Sequence, residues 1–273
     1  MTPGLRLAPP VMANKSAVEH KRAIIIPDIH FPEHDEAAVN CALKAISMVK
    51  PNIFICLGDI GEFHSASGWR YKRQKRPPLE FILPEIDEDI KAANDGLDLF
   101  DKVLNKIGCK ERYMIEGNHD AWLNYFVEEH PYLAKDYLFK NALRLKERGY
   151  KYYPYGKYLR IGKLYIYHGG HFSSVYHARA HALNLGKSVV YGHLHDVQRH
   201  SVTHVDGTHA GFSLGCLKDM SDEANVWLKN RKTNWSHAFG VVDWFSNGDF
   251  RLDVVDITKG KTFLWGKLID GNT

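Results

Sequence analysis

The sequence predicts an α/β fold, and three observations lead to this prediction. Short apolar runs rich in β-branched or aromatic residues recur up to about residue 191, and each ends in a polar cluster, as buried strands do when they leave a sheet. The first two runs flank a stretch with helical spacing, which is typical of a βαβ unit. From Gln198 onward, alternating polarity and turn residues indicate antiparallel strands.

Length and composition favour one globular domain. The chain has 273 residues, of which 44% are hydrophobic and 25% charged, so one large core is possible and neither disorder nor a membrane span is indicated. We expect a flexible tail over residues 1–21, which lacks a continuous apolar run, and a single domain over residues 22–273. Because no secretory signal is recognisable and the four cysteines form no CxxC pair, we expect reduced thiols and a cytoplasmic location.

The βαβ unit lies at the start of the domain. Residues 22–27 have the pattern of a first strand, residues 33–49 carry apolar side chains at helical spacing, and residues 52–57 have the pattern of a second strand. The expected hand of the crossover makes the two strands parallel neighbours. Asp28 and Asp59 should therefore lie at the same edge of the sheet.

A long excursion precedes the third strand, and we interpret residues 61–106 as a helical insertion. Residues 79–107 have a helical pattern, with Pro84 expected near the helix start or at a kink. The segment before them mixes aromatic residues with five cations. A solvated loop is one interpretation of it, and a lip that binds a polyanion by charge and by stacking on Trp69 or Tyr71 is the other. The candidate nucleic-acid contacts, here called the basic lip, are Trp69, Arg70, Lys72, Arg73, Lys75 and Arg76.

The later elements alternate between strands and helices. The tyrosine-rich segment at residues 150–158 favours sheet packing over a nucleotide-stacking surface, and Gly149 should end the helix before it. Further expected elements are a strand at 110–115, helices at 121–129, 132–146 and 174–185, a hairpin of 158–161 with 164–167, a strand at 188–191, and turns at Asp206-Gly207, Asn247-Gly248 and Lys259-Gly260.

Seven polar residues at strand ends form a candidate metal site. A histidine at a strand end is usually capped or solvated, so one such cluster alone would be weak evidence. Together the clusters supply two carboxylates, one amide and four imidazoles, in a chain with 16 histidines. Imidazole with carboxylate suits Mn, Fe, Zn or Ni better than Ca or Mg. The candidate ligands are Asp28, His30, Asp59, Asn118, His168, His193 and His195.

This number of ligands predicts two ions, because one ion would not use seven. We expect two divalent cations bridged by a carboxylate, with Mn favoured. Their charge exceeds that of the two aspartates, which leaves a positive pocket suited to a phosphate oxyanion. Ions ~3.5–4 Å apart would hold a hydroxide between them and clamp the phosphoryl oxygens during in-line attack.

The ordered polar clusters closely resemble the motifs of the calcineurin-like metallophosphoesterases: D-x-H, G-D, G-N-H-[DE], H-G and G-H-x-H, between residues 28 and 195. The resemblance implies a four-layer α/β/β/α sandwich, with the strands after residue 195 in the second sheet. It also implies hydrolysis of phosphate esters by a metal-bridging hydroxide. By resemblance, one ion would bind Asp28, His30 and His195, the other would bind Asn118, His168 and His193, and Asp59 would bridge them.

The resemblance assigns roles to two further residues. His119 would be the non-ligand histidine that stabilises the transition state or protonates the leaving oxygen. Glu62 would orient it, as the corresponding acid does in the phosphoprotein phosphatases. The sequence departs from those enzymes at Phe63, where they have an arginine that grips phosphate. A serine/threonine phosphoprotein phosphatase is therefore less favoured, although an arginine of the basic lip could substitute.

We therefore predict a dimetal phosphoesterase that prefers phosphodiesters of nucleic acid or nucleotides. A phosphomonoesterase acting on a small metabolite, a nucleic-acid end or a phosphoprotein is the alternative. A binding scaffold, such as the retromer subunit of this fold, is less favoured, because scaffolds tend to lose ligands or the catalytic histidine and here every position is filled. His64 and His171 lie a few residues from candidate ligands and could reach substrate or a nearby water.

Overall fold

The computed structural model describes residues 21–229 and 231–273. The predicted tail lies outside the described residues except for Lys21, which begins the first strand. Within those residues, no helix is long and apolar enough to cross a membrane. The strands are β1 Lys21–Ile26, β2 Ile53–Cys56, β3 Glu111–Ile115, β4 Tyr150–Tyr153, β5 Leu159–Ile161, β6 Leu164–Ile166, β7 Ser188–Tyr191, β8 Val197–His204, β9 Gly207–Leu214, β10 His237–Trp244, β11 Phe250–Ile257, β12 Lys261–Leu264 and β13 Lys267–Asp270. The helices are α1 Glu36–Val49, α2 Leu79–Ile107, α3 Asn118–Glu129, α4 Ala134–Tyr137, α5 Phe139–Ala142 and α6 His177–Leu185.

The first sheet has the strand order β11-β10-β1-β2-β3-β4. Strands β1 to β4 are parallel, and Ile25 lies opposite Ile55, which in turn lies opposite Tyr113. The predicted βαβ unit is therefore confirmed. Strands β10 and β11 extend the other edge in antiparallel pairing.

The second sheet has the order β5-β6-β7-β9-β8. The predicted hairpin forms β5 and β6, and the turn at Asp206-Gly207 joins β8 to β9. The expectation that the strands after residue 195 complete the second sheet was wrong in part. Only β8 and β9 do so, because β10 pairs with β1 from Lys21 to Ile25 in the first sheet, and β12 with β13 forms a separate hairpin.

The two faces of the first sheet bury different layers, which follows from the alternation of side chains along a strand. Ile24 and Ile26 point toward α1 and α2 and lie in one apolar core. Ile25, between them, points toward the second sheet and packs in a second core with Ile166 and Phe212. Beyond the second sheet, Tyr167, Val189 and Tyr191 face the side where α6 packs. The predicted four-layer α/β/β/α sandwich is confirmed.

The single helix predicted over residues 132–146 was wrong. Two short helices, α4 and α5, occupy part of this range. The chain is extended at Leu138, with ψ 131°, so that the Phe139 N–H donates to the Asn124 side chain and the Phe139 ring becomes fully buried. Burial of one aromatic ring and a tertiary hydrogen bond outweigh the local preference for a continuous helix.

The predicted insertion consists of two different parts. Residues 67–78 are mainly turns, and most of their side chains are exposed. Helix α2 then crosses back from β2 to the parallel strand β3, and Ile86, Leu97 and Phe100 on its inner face belong to the core beneath the first sheet. The basic lip thus lies in the turns between β2 and the start of this helix.

Candidate metal centre

The carboxyl ends of strands from both sheets meet at one edge of the sandwich, and all seven candidate ligands lie there. Hydrogen bonds connect the two sheets at this place. The His193 backbone N–H donates to Asp28 Oδ1 at 2.8 Å, and the His168 ring nitrogen Nδ1 lies 2.9 Å from the Leu57 carbonyl oxygen. The loops that follow β1 and β2 are thus bound directly to the loops that follow β6 and β7.

One group of candidate ligands consists of Asp28, His30 and His195. The Nε2 atoms of the two histidines lie 3.2 Å apart, and His195 Nε2 lies 3.6 Å from Asp28 Oδ1. Asp28 Oδ2 and His195 Nδ1 are buried without a hydrogen-bond partner among the described residues. A buried carboxylate oxygen without a donor is costly unless a cation compensates its charge, so this group fits a metal ion.

The second group consists of Asp59, His168 and His193, with Asn118 beside them. Asn118 Oδ1 lies 3.0 Å from His168 Nε2 and 2.7 Å from His193 Nδ1. His168 Nε2 is also 3.3 Å from Asp59 Oδ2. These donor atoms converge as the ligands of one ion would.

The carboxylate of Asp59 lies between the two groups. Its Oδ2 atom is 3.3 Å from His168 Nε2 in the second group and 3.7 Å from His30 Nε2 in the first. Burial alone would raise the pKa of Asp59, but His168 and the other nearby imidazoles hold that pKa well below its ordinary value. Asp59 is therefore ionised and reaches both groups, as a bridging ligand must.

The histidines of the centre differ in protonation because their surroundings differ. Burial lowers the pKa of His30 and of His193 to about 4, so both rings are neutral at pH 7. Burial opposes protonation of His168 as well, but Asp59 outweighs it and raises the pKa of His168 to about 10. The carboxylate charge that holds a proton there also favours a divalent cation in its place.

Hydrogen bonds fix which ring nitrogens face the centre. The Nδ1 atom of His168 donates to the Leu57 carbonyl, and Nδ1 of His30 lies 2.8 Å from Glu62 Oε2. When Nδ1 carries a proton and is held in this way, Nε2 has a set direction and can offer its lone pair to a metal ion, in His168 once the ion has displaced the second proton. Both rings thus present Nε2 to the ligand cluster.

Four of the candidate ligands have a left-handed backbone, with φ of 61° at His30, 47° at Asp59, 68° at His193 and 62° at His195. Residues with a Cβ rarely adopt this conformation, and it costs of order 1–3 kcal/mol at each position. The two sheets and their cores supply the stability that keeps these residues in place. Strain concentrated on the ligands themselves is typical of a functional site.

Two motif glycines allow the backbone to approach the carboxylates. A Cβ on Gly117 would meet Asp59 Oδ1, and a Cβ on Gly192 would meet Asp28 Oδ2. Any larger residue at either position would push the aspartate away from the neighbouring ligands. The glycines that begin the G-N-H-D and G-H-L-H motifs are therefore steric requirements of the centre.

Asp120 positions Asp59, a role that the sequence analysis did not assign. Its Oδ2 accepts hydrogen bonds from the backbone N–H groups of Asp59 and Gly117, each at 2.8 Å, and its Oδ1 accepts one from Ile60 at 3.1 Å. The carboxylate thus clamps the loop after β2 to the start of α3. Its position as the last residue of the G-N-H-D motif was the available signal.

His119 lies beside the centre and outside the two ligand groups described above, although with His30 and Glu62 it forms a third cluster of atoms that could hold a metal ion. Its backbone N–H donates to Asp59 Oδ1 at 2.8 Å, and its Nδ1 lies 2.7 Å from the backbone carbonyl of Glu62. The ring packs at 4.0 Å between centroids against Trp122 and edge-on at 4.6 Å against His30. Nε2 is consequently the ring nitrogen available to exchange a proton.

The Glu62 side chain contacts His30 more closely than His119. Its Oε2 is 2.8 Å from His30 Nδ1, whereas Oε1 is 3.6 Å from His119 Nδ1. Lys218, buried and 3.0 Å from the same Oε2, also binds Glu33 at 2.5 Å. Burial alone would raise the pKa of Glu62, but His30 and the nearby cations hold it far below its usual value. The Glu62 backbone thus orients His119 while its carboxylate orients His30.

Three residues near the centre were missed by sequence reasoning. Trp122 follows His119 by three positions on α3, so helical spacing was an available signal. Lys218 and Trp235, whose ring lies 4.7 Å from that of His195, come from the β-rich second half and carry no local signal. They reach the centre only through the tertiary fold.

The two histidines expected to reach substrate or water lie apart from the ligand groups. The His64 ring lies 6.5 Å from that of Trp122. The His171 ring contacts Tyr167 at 5.0 Å, and its Nδ1 binds the Tyr158 hydroxyl at 2.9 Å. His171 therefore belongs to a tyrosine cluster on the second sheet.

Comparisons of the sequence and the fold with known proteins cover the part of the chain that contains the candidate ligands. The sequence model described as calcineurin-like phosphoesterase matches residues 21–251, and no curated protein sequence matches the chain. A zinc-complexed Vps29 from Entamoeba histolytica is similar with a TM-score of 0.45 and 10% identity, over 92% of this chain and 99% of that chain. YfcE, a phosphoesterase from E. coli, is similar with a TM-score of 0.41 and 14% identity, over 87% and 100%. A dimetal phosphatase from Danio rerio is similar with a TM-score of 0.40 and 12% identity, over 86% and 95%.

Replacing the bridging carboxylate tests the shared position of Asp59. In Asp59→Asn the negative charge between the two groups is lost, so we expect occupancy of both metal positions to fall rather than of one alone. Metal content per chain after dialysis, measured by atomic spectroscopy, gives the answer. Normal metal content together with normal activity would rule out the bridge.

Glu62→Gln distinguishes the two contacts of the Glu62 side chain. The neutral amide holds His30 less firmly, so metal affinity should fall by about 10–100-fold, as is typical when the partner of a ligating histidine is changed. Glu33→Gln is the matched control, because Glu33 binds the same Lys218 but does not contact His30. Titration of metal-free protein measures both variants. A loss of turnover at unchanged metal affinity would instead assign the carboxylate to His119.

Proposed function

Since the chain belongs to the calcineurin-like phosphoesterase family, we propose that it hydrolyses phosphodiesters of nucleic acid or nucleotides. The observation that carries the proposal is the pair of ligand groups that share Asp59, with His119 hydrogen-bonded to the same carboxylate. A phosphoester reaction needs positive charge at the phosphoryl oxygens and a proton for the leaving oxygen. The arrangement offers both.

The proposal assigns the seven ligands to two ions. Asp28, His30 and His195 would hold one, Asn118, His168 and His193 would hold the other, and Asp59 would contact both. Divalent ions bound there would lower the pKa of water and neutralise the phosphoryl oxygens. Mn is our proposed metal, because imidazole, amide and carboxylate donors suit it, and Fe, Zn and Ni have similar ligand preferences.

His119 is the proposed general acid. Hydrolysis forms a bond from a water oxygen to phosphorus and breaks the bond to the leaving oxygen, which must gain a proton. The Glu62 carbonyl holds His119 Nδ1, and the rings of Trp122 and His30 fix the plane of the imidazole. Because Nδ1–H donates to this carbonyl, Nε2 carries a proton only in the imidazolium form of His119, and in that form it can give the proton to the leaving oxygen without a change in ring orientation.

Phe63 supports a diester rather than a monoester substrate. Its side chain is fully buried and packs edge-on against Phe139, with ring centroids 6.2 Å apart, so this position offers no charge to substrate. A phosphomonoester dianion gains most from a bidentate arginine. A diester carries one negative charge and depends less on such a contact.

The basic lip supports nucleic acid as the substrate class. Lys72 lies over the exposed Trp69 ring at 4.3 Å, and Arg76 lies over Tyr71 at 5.2 Å. Arg70 forms an ion pair with Glu85, so not every cation of the lip is available to phosphate. Alternating cations and aromatic faces are the means by which proteins bind single strands without strict sequence preference.

A cytoplasmic location is part of the same proposal. All four cysteines are buried free thiols. Burial raises the pKa of Cys41 to about 11 and raises that of Cys216 further, so these thiols are unreactive at neutral pH. Thiols of this kind are ordinary in a reducing compartment.

His119→Asn tests the general acid. The asparagine keeps the backbone N–H that binds Asp59 and removes only the proton donor, so kcat should fall by roughly 10²–10⁴-fold while metal content stays at the wild-type value. Steady-state hydrolysis and metal analysis on the same preparation measure the two effects. If metal is lost with activity, His119 is a ligand and this assignment fails.

The choice of ester tests the substrate class. Metal-stripped protein refilled with Mn should hydrolyse bis(p-nitrophenyl) phosphate with a higher kcat/KM than p-nitrophenyl phosphate, with Asp59→Asn as the inactive control. A preference for the monoester would favour the phosphomonoesterase. If neither ester is cleaved while the metals are bound, and DNA and RNA are also left intact, the hydrolase proposal gives way to a binding scaffold.

A further inference from the structure

A groove of about 330 Å³ lies behind the candidate general acid. The residues that decide its character are Trp69, Lys72, Arg76, Trp122, Tyr125 and Glu129. They come from two parts of the chain, the basic lip and helix α3, so only the fold brings them together. We call this the aromatic groove.

The groove shares a wall with the centre. Trp122 lines the groove, and its ring also packs against the His119 ring at 4.0 Å between centroids, with 38° between the planes. His119 in turn lies beside Asp59 and His30. A ligand in the groove would therefore lie against the same indole that packs on the residue proposed to protonate the leaving oxygen.

Two large aromatic side chains of the groove face solvent. Trp69 is 68% exposed and Tyr125 is 50% exposed, although both have a flat apolar face that is ordinarily covered. Isolated exposed aromatics are common. Two of them lining one groove beside Trp122 make a surface suited to stacking with a planar ring.

The charges of the groove indicate what that ring carries. Lys72 Nζ lies 4.3 Å above the Trp69 ring, and Arg76 lies over the Phe126 ring at 5.4 Å. The one acid of the wall, Glu129, is paired with Arg76, which leaves the charge of Lys72 in excess. An apolar ligand would not use this charge, and a bare phosphate would not use the aromatic faces. A planar base attached to a phosphate uses both.

The volume limits how much of a substrate can enter. Ligand pockets usually span about 300–1,000 Å³, and this groove is at the lower end. One nucleoside matches this volume, whereas a duplex or a folded protein segment is larger than it. The occupant is therefore a single nucleotide unit of the substrate.

We propose that the aromatic groove binds the base of the nucleotide on the leaving-group side of the scissile phosphate. This inference rests on the proposed function, because the scissile phosphate is the one that the proposed reaction places at the metal centre. It adds a subsite that selects nucleotides over simple esters. His119 delivers its proton to the leaving oxygen, so the group attached to that oxygen lies on the His119 side of the centre. The groove lies on this side, beyond Trp122.

Equilibrium binding tests the groove without requiring turnover. Adenosine 5′-monophosphate is compared with ribose 5-phosphate, which has the same sugar and phosphate but no base. Calorimetric titration of the Mn-loaded protein should give about 5- to 150-fold tighter binding of the nucleotide, the range that one stacked base contributes. Equal affinity for the two compounds would overturn the inference.

Substitution of the exposed rings locates the effect. The double variant Trp69→Ala with Tyr125→Ala should lose most of the nucleotide preference, whereas Tyr132→Ala should keep it. Tyr132 is a matched control, because it is exposed like the other two and follows α3 by three residues but does not line the groove. Metal content and thermal unfolding check that each variant is folded. A double variant that keeps the full preference would place the base elsewhere.

The outcomes separate this inference from the proposed function. Nucleotide preference that depends on Trp69 and Tyr125, without hydrolysis of any ester, would support base binding in the aromatic groove and contradict the proposed hydrolase activity. Hydrolysis of phosphodiesters without nucleotide preference would support the proposed hydrolase activity and contradict base binding in the aromatic groove.

Discussion

The buried carboxylate of Asp59 connects every part of the centre. Its Oδ2 faces a histidine from each ligand group, and its Oδ1 accepts the backbone N–H of His119. Its backbone carbonyl accepts the N–H groups of Ile29 and His30, which sets the position of the loop after β1. A charge this deeply buried is stable only with compensating positive charge. The neighbouring imidazoles supply part of it, and two divalent ions would supply the rest.

The four-layer architecture is what keeps such a costly arrangement in place. The loop after β1 is tied to the second sheet by the bond from His193 to Asp28, and the loop after β2 is tied to it by the bond from His168 to Leu57. The loop after β1 contains His30 and the loop after β2 contains Asp59, both with a left-handed backbone. The second loop also supplies the Leu57 carbonyl oxygen that accepts the hydrogen bond from His168. Neither sheet alone could hold both halves of the ligand set. The core between the sheets, which Ile25 and Phe212 share, therefore contributes to the geometry of the centre as well as to stability.

Sequence reasoning reached the elements whose signals are local. Asp28 and Asp59 could be placed at one sheet edge because each follows an apolar strand, and the crossover rule makes those strands parallel. The break at Leu138 could not be predicted, since its cause is the contact of Phe139 with Asn124 on another helix. The pairing of β10 with β1 in the first sheet could not be predicted either. The order of apolar and polar residues along a strand does not indicate which other strand it pairs with. Lys218 reaches Glu62 across 156 positions of sequence, which no motif records.

The distribution of positive charge around the centre has a consequence for specificity. Lys218 is buried and engaged by Glu33 and Glu62, so its charge serves the ligand framework. Phe63 contributes no charge, and the lip cations Arg70 and Arg76 are paired with acids. With the charge of Lys72 placed in the aromatic groove, the scissile phosphate itself would be recognised mainly by the metal ions, which attract any phosphoryl group alike. Discrimination among esters must then come from the groups attached to phosphorus, and the exposed aromatic faces beside His119 are the surfaces placed to read them.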